Sequence, residues 1–150
     1  MTIPTEAEWR SEPWDLDIPY AYKHFFGKGL EDAFALFVED SLCHQEDIMF
    51  MPVACFRYYV VAYTNYLLSE SSKGDSDGAN CFFGIIECRK DDIRQASEFV
   101  LERIITTLRK LQDNQEWYDA DEAIYGSFQD RAATCLQVIQ AEPNTGANSR

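Results

Sequence analysis

The segment from Pro52 to Leu68 constrains the fold more than any other. Val53, Phe56, Val60, Tyr63 and Leu67 recur at helical spacing, and Cys55, Tyr59, Ala62 and Tyr66 make the adjoining face. Only Arg57, Thr64 and Asn65 interrupt, together on one narrow stripe. A helix apolar almost all round is either buried or spans a membrane. The stretch Ile48 to Leu68 has about the length to span. Arg57 would then sit in hydrocarbon at roughly 2.5–3.5 kcal/mol, and no second apolar span accompanies it. The expectation is a buried central helix with no membrane insertion. It opens at Pro52, whose missing N–H matters least in a first turn.

A buried helix needs amphipathic neighbours, and the chain supplies them. Leu30, Ala33, Phe34, Phe37, Val38 and Ser41 make one stripe from Leu30 to Cys43, with Glu31, Asp32, Glu39 and Asp40 on the other side. A shorter helix is expected from about Gly78 to Cys88, capped by Asp77. Its run Cys81-Phe-Phe-Gly-Ile-Ile also suits a buried strand, but no second strand is evident to pair with it. The clearest periodicity follows, opened by Asp91 or Asp92: Ile93, Ala96, Val100, Leu101, Ile104, Leu108 and Leu111 share one side. A last helix, with Asp119 and Glu122 at capping-box spacing, runs to about Gln140. Residues 20–26 suit a short helix closed by Gly27 and Gly29, and 69–80 (SESSKGDSDGAN) read as a loop.

The fold class expected is therefore all-α: a single-domain bundle of four to five helices over residues 20–141. An extended N-terminal arm, 1–19, precedes it, because Pro4, Pro13 and Pro19 each disfavour helix at the residue before. A polar, disordered tail is expected over 142–150. The 150 residues suffice for one core, and 46% hydrophobic against 26% charged residues exclude a largely disordered chain.

Charge narrows the partners. Thirteen Lys and Arg face twenty-six Asp and Glu, a formal net charge of -13. Phosphate backbones and anionic membrane surfaces are repelled by such a field, whereas a basic protein partner is attracted. Five cysteines, an odd number without a CxxC pair, and an N-terminus lacking a basic region before an apolar run point to free thiols in a reducing cytoplasm.

Motifs for chemistry are missing or defeated by spacing. If Asp75, Asp77 and Gly78 filled positions three, five and six of an EF-hand loop, Lys73 and Gly84 would fall where acidic ligands belong. Neither His24 nor His44 has the Glu three residues earlier that a di-iron bundle requires. Phosphate loops, GxSxG elbows and HExxH are absent. Asp40 and His44 share a helix face, with Cys43, Glu46 and Asp47 close by. Joined by His24, they would supply a two-histidine, one-carboxylate metal site. The plainer reading is a histidine at a helix end, favoured by the helix dipole, and the sequence expectation is no metal and no cofactor. A Cys–His nucleophile finds no recognised context.

Two groups of candidate site residues remain. Arg57, with Tyr59, Tyr63, Thr64, Asn65 and Tyr66, would line a pocket for an anionic ligand. The commoner arrangements are an internal ion pair of Arg57 with Glu39, Asp40, Glu87 or Glu98, or a side chain snorkelling at a rim. Glu31, Asp32, Glu39, Asp40, Glu46 and Asp47 form the candidate partner-binding face. The leading functional expectation is a non-enzymatic acidic interaction or regulatory protein, of inhibitor or immunity type, binding a basic partner or a second copy of itself. The alternative is a small-ligand binder or metal-dependent enzyme with its site between helices near Arg57.

Overall fold

The computed structural model describes residues 1–140. It is all-helical over that span, a single domain with the core expected. The helices are α1 (Glu6–Trp9), α2 (Ile18–Phe25), α3 (Leu30–Met49), α4 (Val53–Leu67), α5 (Ser76–Cys88), α6 (Lys90–Arg94), α7 (Glu98–Asp113), α8 (Glu122–Tyr125) and α9 (Phe128–Gln140). The expected tail lies outside the described residues. No helix among them is long and apolar enough to cross a membrane.

The central position of α4 follows from its composition. Eleven of its residues are buried. On its two sides α3 and α7 pack against it, α5 leans on α3 and α9, and α9 closes against α7. Its rings join a stack that crosses the molecule. Phe37 lies parallel to Tyr63 at 4.8 Å and 10°, Tyr63 meets Phe82 edge-on at 5.3 Å, and Tyr59 meets Phe25 at 4.9 Å.

The helix count exceeds the four or five expected because local caps and breaks divide the longer segments. Ser97 caps α7 through Val100 N–H, which separates the single turn α6 from the long periodic helix. Gly126, at φ 77°, separates α8 from α9, a backbone conformation in which glycine carries no steric penalty. Asp75, not Asp77, caps α5, so the helix takes in residues 76–80 of the expected loop. Residues 81–86 are helical, as favoured. The helix begun at Leu30 does not end near Cys43; it runs to Met49 across a break at Asp40 (φ -159°, ψ 84°). Asp40 Oδ1 then accepts from Cys43 N–H at 3.0 Å, as an N-cap does. The arm is less extended than expected: α1 forms a helical turn, and Trp9 is fully buried.

Asp75 is the polar hub of the α3–α4–α5 junction. Its carboxylate accepts from Ser41 Oγ at 2.5 Å, from Tyr66 OH at 2.7 Å and from Gly78 N–H at 3.0 Å. A Cβ on Gly78 would fall onto that carboxylate and lie 2.8 Å from Ser41 Oγ, so glycine is required inside this helix. Replacing Asp75 by alanine removes the cap and strands the Tyr66 and Ser41 hydroxyls. Urea denaturation is expected to show a loss of about 2–4 kcal/mol, with Asp75→Asn losing less because its amide oxygen still caps.

Candidate functional site

Each residue of the polar stripe of α4 makes an internal hydrogen bond. Arg57 Nε donates to the Asp92 carbonyl at 2.9 Å, so its partner is a backbone oxygen rather than Glu39, Asp40, Glu87 or Glu98. Thr64 Oγ1 bonds to Val61 of its own helix at 2.7 Å, and Asn65 Oδ1 accepts from Arg103. Tyr59 OH reaches the carbonyls of Phe25 and Lys28, each at 2.8 Å, Tyr63 OH that of Gly78 at 2.5 Å, and Tyr66 OH the Asp75 carboxylate. Burial pushes the hydroxyls of Tyr59, Tyr63 and Tyr66 above the ordinary phenol range. These six residues share a helix, but their polar atoms point to different neighbours and do not converge on a ligand.

The acidic candidates divide. Glu31, Asp32, Glu39, Asp40 and Glu46 are exposed along α3, and none is within ion-pair distance of a basic group among the described residues. Between them stand Val38 and Leu42, each 50% exposed. Asp47 faces the other way, with its side chain only 8% exposed.

Asp47 belongs instead to a cluster at the α2–α3 contact. In α2, Ile18, Ala21 and Phe25 form the buried stripe, and His24, three residues after Ala21, lies on its flank. In the second half of α3, Ser41, His44 and Ile48 are buried at three- and four-residue spacing, and Asp47 follows His44 by three. The break at Asp40 sets this phase. One oxygen of Asp47, Oδ2, then lies 2.7 Å from His24 Nδ1 and 3.0 Å from His44 Nδ1. The imidazoles meet edge-on at 5.0 Å. Phe25 and Phe37 wall His44 from behind at 5.7 and 6.4 Å. Cys43 adds its sulfur, and the four donor atoms all lie within 4.8 Å of one another. A cavity of about 230 Å³ opens onto His24, Cys43 and Asp47, bounded also by Asp17, Tyr20, Glu46 and Phe50. Burial and the carboxylates of Asp47, Asp40 and Glu46 push the Cys43 thiol above its ordinary range, the opposite of what an activated thiolate nucleophile requires.

Sequence reasoning named every member of this cluster and set the combination aside. The spacing of Cys43, His44 and Asp47 was legible within one helix. What joined them to His24 was the packing of α2 on α3, which no local pattern encodes. Arg89 was missed altogether: it bonds to the carbonyls of Met49 and Met51 at 3.0 and 2.8 Å and lies 4.3 Å over the Phe56 ring, fastening the α3–α4 connection. The chain matches no protein-family model, and no curated protein or solved structure is detectably similar to it.

Proposed function

We propose that the protein is a non-enzymatic interaction or regulatory module that binds a basic protein surface through the outer face of α3. The observation that carries this reading is the row Glu31, Asp32, Glu39, Asp40 and Glu46, exposed and without basic partners among the described residues, interleaved with the half-exposed Val38 and Leu42. Like charges gathered on one face repel one another and attract a surface of opposite sign, which relieves that repulsion on binding. The apolar side chains between them would give such a contact a desolvated centre. An inhibitor working in this way would cover the partner's functional surface, and its association would slow as salt screens the steering field. A cytoplasmic setting fits the free state of all five cysteines. The alternative, a ligand or enzymatic site near Arg57, has less support, since its hydroxyls already serve backbone acceptors.

The test is charge reversal. Glu39→Lys combined with Glu46→Lys is expected to abolish salt-sensitive capture of a basic partner from native lysate. Glu98→Lys with Glu102→Lys, on the exposed side of α7, is expected to leave capture intact. A monomer by light scattering that captures nothing, or capture unaffected by reversal on α3, would overturn the reading.

A further inference from the structure

We propose that His24, His44 and Asp47 form a binding site for one divalent transition-metal ion of the zinc class, with Cys43 as the fourth ligand. The inference is independent of the partner surface on α3. Three donors from two different helices already converge on one point, since both Nδ1 atoms lie against the same carboxylate oxygen at 2.7 and 3.0 Å. Metal–ligand bonds of about 2.0–2.3 Å place tetrahedral donors roughly 3.3–3.8 Å apart. An ion seated between these donors therefore requires the two contacts to open by roughly 0.3–1.1 Å. Cys43, one helical turn before Asp47, brings the sulfur within 4.8 Å of the other donors.

The donor chemistry selects the ion. Two imidazoles, a carboxylate and a thiol suit zinc, cobalt or nickel, whereas magnesium and calcium want oxygen alone. The surroundings support binding rather than a hydrogen-bond network alone. Asp47 and His44 are both buried, and Phe25 and Phe37 pack against His44, which excludes water behind it. In front, the cavity gives an entry path, with Asp17 and Glu46 at its mouth to draw a cation in. A network that served only to tie α2 to α3 would need neither the convergent sulfur nor the opening. On binding, each imidazole turns its Nδ1 lone pair to the ion, with the ring proton carried on Nε2. The Cys43 thiol releases its proton to solvent as it becomes a thiolate ligand.

Chelator-treated full-length protein is titrated with zinc, cobalt, magnesium and calcium by calorimetry, with metal content checked by elemental analysis. The expected result is one equivalent of zinc or cobalt, a raised Tm, and no stoichiometric magnesium or calcium. Asp47→Asn and His24→Ala should each weaken zinc binding at least tenfold. His24, with its side chain 30% exposed, is the position where substitution leaves the fold intact, which circular dichroism verifies. Cobalt-loaded wild type should show a thiolate-to-cobalt charge-transfer band that Cys43→Ser removes. Absence of that band in the wild type would overturn the role of Cys43. No stoichiometric zinc in the wild type, or the same zinc affinity in a folded His24→Ala variant, would overturn the site.

Discussion

Raising the pH above about 10 is expected to unfold the protein in one steep transition, with tyrosine ionisation and helix loss coinciding. Tyr59, Tyr63, Tyr66 and Tyr118 are 3% exposed or less, and burial raises all four hydroxyls above the ordinary value of 10.0. Cys55 and Cys135, also buried, are pushed up to about 12 from 9.0. For an acid whose folded value is raised, the native state keeps a proton that the unfolded chain gives up. The stabilisation is complete below the unfolded value and is lost as pH climbs toward the folded one. Each such group then subtracts about 1.4 kcal/mol per pH unit. The two thiols begin to act above 9, and the four tyrosines add about 5–6 kcal/mol per unit above 10. Against a domain stability of about 5–15 kcal/mol, unfolding should fall between pH 10 and 12. Far-ultraviolet circular dichroism and tyrosinate absorbance, followed together, decide it. Gradual tyrosinate formation with the helices intact past pH 12 would show that these hydroxyls are not sealed in the core.

The same tyrosines show what the sequence made legible. Their spacing on one nearly apolar helix was enough to place α4 at the centre, because only burial on all sides accommodates such a surface. Element boundaries were less legible. Ser97 and Asp75 make their caps with backbone N–H groups, and competing acidic residues nearby, Asp91, Asp92 and Asp77, offered equally good local signals. Arg57 was expected to be a buried cation; it is only partly buried, and its Nε meets a carbonyl, a group every residue carries and no pattern marks. The His24–Asp47–His44 arrangement lies at the far limit of legibility. His24 and Asp47 are twenty-three residues apart, and what brings them together is the docking of two amphipathic helices, through Phe25 on one side and Phe37 on the other. The break at Asp40 contributes as well, since an uninterrupted helix would carry His44 and Asp47 round to a different side. An aspartate in mid-helix with its side chain bonded to a backbone N–H three residues on is a cap signal, but nothing in the apolar stripe around it announced an interruption.

The N-terminal arm carries the second large effect. Trp9→Ala is expected to lower the unfolding free energy by about 3–5 kcal/mol, the range for removing a buried aromatic side chain. Trp9 is fully buried, edge-on to Tyr22 at 5.6 Å and tilted against Tyr59 at 6.1 Å. The four-residue α1 that presents it is far too short to be stable alone. Its capping box, in which Glu8 N–H donates to Thr5 Oγ1 at 3.2 Å and Thr5 N–H to Glu8 Oε1 at 2.9 Å, sets the angle at which the indole enters. Burial of the indole is what holds the turn to α4. The indole Nε1 has no hydrogen-bond partner among the described residues, and an unmatched buried donor of this kind opposes folding by about 1–3 kcal/mol. Trp9→Phe relieves that penalty while giving up part of the packing, so its loss should be less than half that of Trp9→Ala. Urea denaturation of the two variants separates the contributions. A loss below about 1 kcal/mol for Trp9→Ala, the usual scale of a surface substitution, would mean that the arm lies on the domain rather than within its core.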